Sequence, residues 1–177
     1  MTEQKRVVFR GKVINVTHEQ VELPNGAHAE LEIVNHPGGA TIVAIDDDEQ
    51  VCLLRQYRHA GGGWIWELPA GKLEPNEPPD KTAVRELEEE AGRRAQRWQS
   101  LGVILSSPGV FDERIHIYLA RDLSEVPINH EEHESIEVHW LPLAQALDKA
   151  LSGEINDAKT IIGLLRAAAV IGSAASS

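Results

Sequence analysis

"GKLEPNEPPDKTAVRELEEEAG", residues 71–92, holds seven acidic residues, four of them at Glu86, Glu88, Glu89 and Glu90. Helical neighbours of like charge repel, so a helix that concentrates them needs a reason. The stretch predicts a helix from about Asp80 to Ala91, entered through the loop Glu77-Pro78-Pro79. At about 100° per residue, with Glu86 as origin, Glu90 lies about 40° to one side and Glu89 about 60° to the other, while Glu88 falls nearly opposite. Ala83, Val84, Leu87 and Ala91 fill the neighbouring arc, so burying that apolar face holds three carboxylates at the rim of the core. Solvent screens them poorly there, and like charges a few ångströms apart disfavour joint ionisation. A hard divalent cation removes the conflict, because Mg²⁺ takes oxygen ligands from carboxylates together with water and substrate phosphates. An isolated run of glutamates is ordinarily a solvated face. Two features argue otherwise here: Arg85 stands four residues before Glu89, where it orients a carboxylate, and Gly71 ends the preceding strand.

Outward from this helix, 177 residues of 42% apolar composition predict one ordinary globular domain with a substantial core. A net charge of −11 excludes an electrostatic nucleic-acid binder, which needs a basic face. A phosphate-bearing ligand must therefore be met by local cations. The single cysteine, Cys52, sits in "VCLLRQY" and reads as a small buried hydrophobe in a strand. Together with the lack of any window approaching a membrane span, it predicts a soluble, untargeted, cytoplasmic protein.

Residues 6–34 alternate in short β-rich bursts around Asn25-Gly26, a strong turn signal, and predict a hairpin-rich amino-terminal lobe over residues 1–35. A main domain over 36–172 and a frayed tail over 173–177 complete the expected organisation. "ATIVAI" and "VCLLRQY" predict two adjacent buried strands joined by the exposed "DDDEQ". Further strands are expected in "WQSLGVIL", "RIHIYLA" and "IEVHWLP". Helices are expected over Leu143–Leu151, stopped by Gly153, and over "NDAKTIIGLLRAAAVI", capped by Asn156. Strands and helices interspersed around a sheet covered on both faces predict an α/β fold, an α/β/α sandwich with a mixed sheet.

Gly71, then Glu77, then Arg85-Glu86-Leu87-Glu88-Glu89-Glu90-Ala91-Gly92 resembles the signature of the Nudix hydrolases. Arg93 departs from it, since the family usually has an aliphatic residue there. "LLRQYRH", "WELPAGKLE", "SPG" followed by "ERIHIYLA", and "GEINDAKTI" extend the resemblance over most of the chain and are most similar to the ADP-ribose pyrophosphatases. Pro108, fifteen residues after Arg93, matches the spacing of that group. The resemblance implies metal bound by Glu86, Glu90 and the carbonyl of Ala70, with Glu89 bridging or assisting. Arg85 orients the carboxylates. The general base lies on the late loop "NHEEHESIEV", with Glu132 corresponding best and Glu131 and Glu134 as close rivals.

Arg55 and Arg58, either side of Tyr57, are the local cations best placed to meet a diphosphate. Glu67 approaches the metal region through "ELPAG", and Glu113 joins the metal or substrate shell. His130 and His133 lack the H-E-x-x-H spacing of a zinc helix and read as loop residues. The implied reaction is Mg²⁺-dependent hydrolysis of ADP-ribose to AMP and ribose 5-phosphate, with Mn²⁺ as a substitute ion. The alternatives are another nucleoside diphosphate sugar such as ADP-glucose or GDP-mannose, an oxidised nucleoside diphosphate, or a non-catalytic ADP-ribose sensor. Similar enzymes are dimers whose amino-terminal strands reach the partner's site, so a homodimer is expected, with no nucleic-acid or membrane partner.

Overall fold

The computed structural model describes residues 4–130 and 132–174. Strands β1 (Gln4–Arg10), β2 (Asn15–Glu22) and β3 (His28–Asn35) form an antiparallel three-stranded sheet of their own. The β2–β3 turn is built as Asn-Gly chemistry requires: Gly26 takes φ +82°, and the Asn25 side-chain oxygen accepts the Ala27 N–H at 3.0 Å.

Two further sheets make the centre. One has the order β7 (Ala70–Lys72), β4 (Gly39–Ala44), β9 (Arg114–Glu125), β8 (Arg93–Leu105), with β4 and β9 parallel and the other pairs antiparallel. The other has the order β10 (Ile136–Pro142), β5 (Gln50–Arg58), β6 (Gly63–Glu67). The expected adjacent strands β4 and β5 thus lie in different sheets, joined only by an Ile45–Val51 bridge. Asp46 sets the corner between them, its Oδ1 accepting the backbone N–H groups of Asp48 and Gln50, and this redirects the chain out of the first sheet.

Alternation along β4 and β5 feeds two cores. Ala40, Ile42, Ala44, Cys52 and Leu54 pack on Ala83, Leu87 and Ala91 of α1 (Pro79–Ala91). Val43, Ile45, Val51 and Leu53 face the other way, towards Ala146 of α2 (Leu143–Ser152) and Leu164 and Ala167 of α3 (Ala158–Ala174). Helices therefore cover both faces of mixed β structure, the expected α/β sandwich.

Three boundaries move. Strand β8 starts at Arg93, directly after the helix stop, where Arg93 pairs with Glu125 at 3.2 Å and lies 5.2 Å from the Trp140 ring centre; these partners accommodate a cation at a position expected to be aliphatic. The cap of α3 is Asp157 and not Asn156, because the Asp157 carboxylate accepts both the N–H (3.0 Å) and the hydroxyl (2.6 Å) of Thr160. Ser173 and Ala174, expected in a frayed tail, belong to α3, while 175–177 lie outside the described residues. Among the described residues no helix is long and apolar enough to cross a membrane.

Candidate active site

The acidic helix is held at both ends. Pro79 opens α1, and Gly92 closes it in the left-handed conformation at φ +61°, donating its N–H to the Glu88 carbonyl at 3.1 Å. Gly71, expected to end a strand, is the middle residue of the short strand β7, opposite Ala40. A methyl group there would come within 1.8 Å of Glu86 Oε1, so the missing side chain leaves the room that the Glu86 carboxylate occupies.

Arg85 organises the front of the helix. Its Nε and Nη2 each donate at 3.0 Å to the two oxygens of Glu77, and its Nη1 reaches Glu86 at 2.6 Å and Glu89 at 3.2 Å. The fork on Glu77, helped by the Thr82 hydroxyl at 2.8 Å, pulls the Glu77 carboxyl down to about 2. Glu90 is the opposite case. It is 2% exposed, its Oε2 accepts the Ala70 N–H at 2.8 Å, and burial pushes its carboxyl up to about 8, with Glu86 and Glu134 adding to the rise. Burial also raises Glu86, against the pull of Arg85.

The late loop docks on the carboxyl end of α1. Asn129 N–H donates to the Glu89 carbonyl at 3.0 Å, and His130 Nε2 lies 2.9 Å from the Glu90 carbonyl, which makes that nitrogen the donor. His130 thus fills an orphan helix-end acceptor, in keeping with the loop reading of its sequence.

One cavity of about 550 Å³ gathers Ala70, Arg85, Glu86, Glu89 and Glu90 from the box region, together with Arg58, Glu67 and Glu113. Three other candidates stand outside its lining. Arg55 pairs directly with Trp66 across β5 and β6, shares its face, and lies over its ring at 5.1 Å. Pro108 is exposed, two residues beyond the lining residue Ser106. Glu132 is exposed on a turn with His133, whereas Glu134, just before β10, lines the cavity and acts electrostatically on both Glu86 and Glu90. Glu131 lies outside the described residues.

The cavity also contains residues that the motif reading did not single out. Lys159 Nζ lies 2.6 Å from Glu67 and 3.0 Å from Asp157, and Arg58 Nε donates to the other Glu67 oxygen at 2.8 Å. His36 closes the far side, with Nδ1 3.1 Å from the Gly38 N–H and 3.2 Å from Glu113. Within "NDAKT" the spacing Asp157 to Thr160 was the available signal, since a cap at Asp157 puts Lys159 on the first turn.

Among the described residues no three acidic, histidine or cysteine side chains already enclose a common ion position, because Arg85 draws Glu86 and Glu89 to itself. The donor set nevertheless fits a hard divalent cation. It offers oxygen donors alone, it includes a buried carboxyl with a raised proton affinity, and the bare Gly71 lets the Glu86 carboxylate stand beside it.

Comparison with known proteins gives the family and the fold. The NUDIX domain model matches residues 35–162. An ADP-ribose pyrophosphatase of Bacillus subtilis is 42% identical over 161 residues, covering 90% of this chain and 87% of the relative. One from Mycobacterium tuberculosis is 40% identical over 172 residues, covering 96% and 83%. A solved structure described as an ADP compounds hydrolase shares the fold, with a TM-score of 0.82 at 23% identity over 98% of this chain and 96% of the other. Proteins with this domain generally use a divalent metal.

Proposed function

Because this chain belongs to the Nudix family, we propose that it hydrolyses the pyrophosphate of ADP-ribose to AMP and ribose 5-phosphate with Mg²⁺, or Mn²⁺ in its place. The observation that carries the reading is the single cavity in which Glu86, Glu89, Glu90 and Glu134 face the cations Arg58 and Lys159. Glu86 and Glu90, with Glu89 and the Ala70 carbonyl, would hold the metal. When bound, divalent ions neutralise the diphosphate and acidify water.

The protein's own part is positioning and proton transfer. Arg85 keeps the acidic edge oriented through Glu77. Arg58 Nε is spent on Glu67, and its remaining guanidinium N–H groups are donors for a phosphate oxygen at the cavity wall. Glu134 takes the proton of the attacking water as the new O–P bond forms and the bridging P–O bond breaks. Our reading takes Glu134, rather than its rival Glu132 in the same loop, as the base, and the support for it is that Glu134 lines the cavity.

We also read the protein as a cytoplasmic homodimer in which residues before His36 help close the partner's adenine pocket. Val8 and Phe9 on the amino-terminal sheet are 44% and 53% exposed, apolar side chains that a second copy would cover. Incubation with ADP-ribose and Mg²⁺, product identification, and kcat/KM on a panel including ADP-glucose and GDP-mannose test the substrate. Failure to form AMP, or a preference for GDP-mannose, overturns the assignment.

A further inference from the structure

Lys159 is largely withdrawn from solvent, although the cap of α3 does not depend on it. The cap of α3 is complete without it, since Asp157 Oδ2 already takes both the N–H and the hydroxyl of Thr160. The Thr160 hydroxyl in turn accepts the Leu68 N–H at 2.8 Å, which ties the helix to the end of β6. Glu67 likewise has a charged partner in Arg58. An ammonium taken out of water beside two carboxylates is a poor way to gain stability, because its desolvation offsets much of the attraction. Its side chain is nevertheless only 14% exposed, and it lines the cavity beside Asp157 and Ala158.

The hydrogen-bond inventory shows what this corner is suited to. An ammonium has three donors. Glu67 and Asp157 take two of them, which leaves the third for the cavity. Asp157 Oδ1 and Glu67 Oε1, each receiving one bond from Lys159, keep a further lone pair. The local charges cancel, two cations against two carboxylates, so the corner is no general anion trap. Adjacent donors and acceptors with balanced charge match vicinal hydroxyls, each of which donates and accepts at once. On the opposite side the cavity reaches His36, Lys72 and Glu74, which also line a second, larger hollow beneath the amino-terminal sheet. The hollow on that side has room for a nucleoside, and the corner at α3 offers the paired donors and acceptors that sugar hydroxyls require.

We propose that Lys159, with Asp157 and Glu67, reads the hydroxyls of the sugar on the non-nucleotide side of the diphosphate and so determines specificity for that half of the substrate. The inference rests on the ADP-ribose reading above. Its test compares ADP-ribose with the β-methyl ester of ADP, which keeps the diphosphate and replaces that sugar by a methyl group. In Lys159→Met the ratio of the two kcat/KM values should fall about tenfold or more towards the methyl ester, as expected for loss of one hydrogen bond from a charged donor. Lys159→Arg should restore part of the ratio. Melting temperatures are recorded alongside, and Lys159→Gln serves if the methionine variant does not fold. An unchanged ratio, or equal losses on both substrates, overturns the proposal, since a diphosphate contact or a purely structural ammonium acts on both alike. A wild-type protein that cleaves the methyl ester but not ADP-ribose, or neither, defeats the functional reading and the sugar site with it.

Discussion

Glu77, in the loop that leads into α1, and Glu90, in its last turn, belong to the same motif, yet their environments are opposed. Glu77 is met by a two-pronged arginine, a hydroxyl and a backbone N–H, and its carboxyl falls to about 2. Glu90 receives one backbone N–H inside the core, and its carboxyl rises to about 8. The first is a finished structural contact. The second is a carboxyl the fold has taken out of water, where burial outweighs the backbone N–H and the Arg58 charge that act against it. An acidic motif therefore contains two kinds of glutamate, separable by what pays the cost of their burial.

The comparison breaks first at Glu90 and Glu86. Glu90→Gln or Glu86→Gln should lower metal-dependent hydrolysis about 10³-fold, as expected for loss of a charge that holds a catalytic ion. Without divalent ions the raised pKa of Glu90 has a stability sign: folding favours the protonated form, so wild-type stability falls as pH rises from 4.5 towards about 8. Glu90→Gln should remove that slope, and near pH 8 in chelator it should melt above wild type. Normal turnover at saturating Mg²⁺ would reduce the acidic edge to surface.

Next in size is the base. Glu134→Gln should lower kcat about 10²-fold with little change in KM, whereas Glu132→Gln stays close to wild type. The reverse result would mean that the loop rearranges around substrate to present Glu132.

Glu77→Gln should behave as a structural lesion. It leaves a partly buried Arg85 short of a partner, costs about 1–3 kcal/mol of stability, and reduces turnover only through misorientation of Glu86 and Glu89. The lowered pKa of Glu77 gives the opposite sign to Glu90: its stabilisation is present above 4.5 and is lost as pH falls towards about 2, and the variant should lack that component of acid unfolding. The smallest effect belongs to Glu88, which pairs with Arg94 at 2.8 Å on the outer side of the helix. Glu88→Gln should leave kcat/KM and the melting temperature near wild type, and a large loss there would erase the distinction between the two kinds of glutamate.

Local pattern decided a good deal. The 3.6-residue period put Glu86, Glu89 and Glu90 on one edge and Ala83, Leu87 and Ala91 in the core, because both follow from helix geometry alone. β10 fell where its alternation placed it, and Asn25-Gly26 turned the hairpin, since a short turn between paired strands is a local choice. What the sequence could not decide were outcomes of packing between distant segments. β4 and β5 look alike as apolar runs, and only the Asp46 corner assigns them to different sheets. Glu132 and Glu134 are equivalent in composition, yet once Asn129 and His130 dock on α1 it is Glu134 and not Glu132 that lines the cavity. Arg55 and Arg58 flank the same tyrosine, yet one lies over a tryptophan and the other meets a buried carboxylate. Lys159 reads in sequence as an ordinary helix-start lysine and becomes a cavity residue only when α3 closes over Glu67. Periodicity fixes the direction of a side chain within its own element, whereas burial, charge partners and proton affinity depend on which other element arrives opposite it.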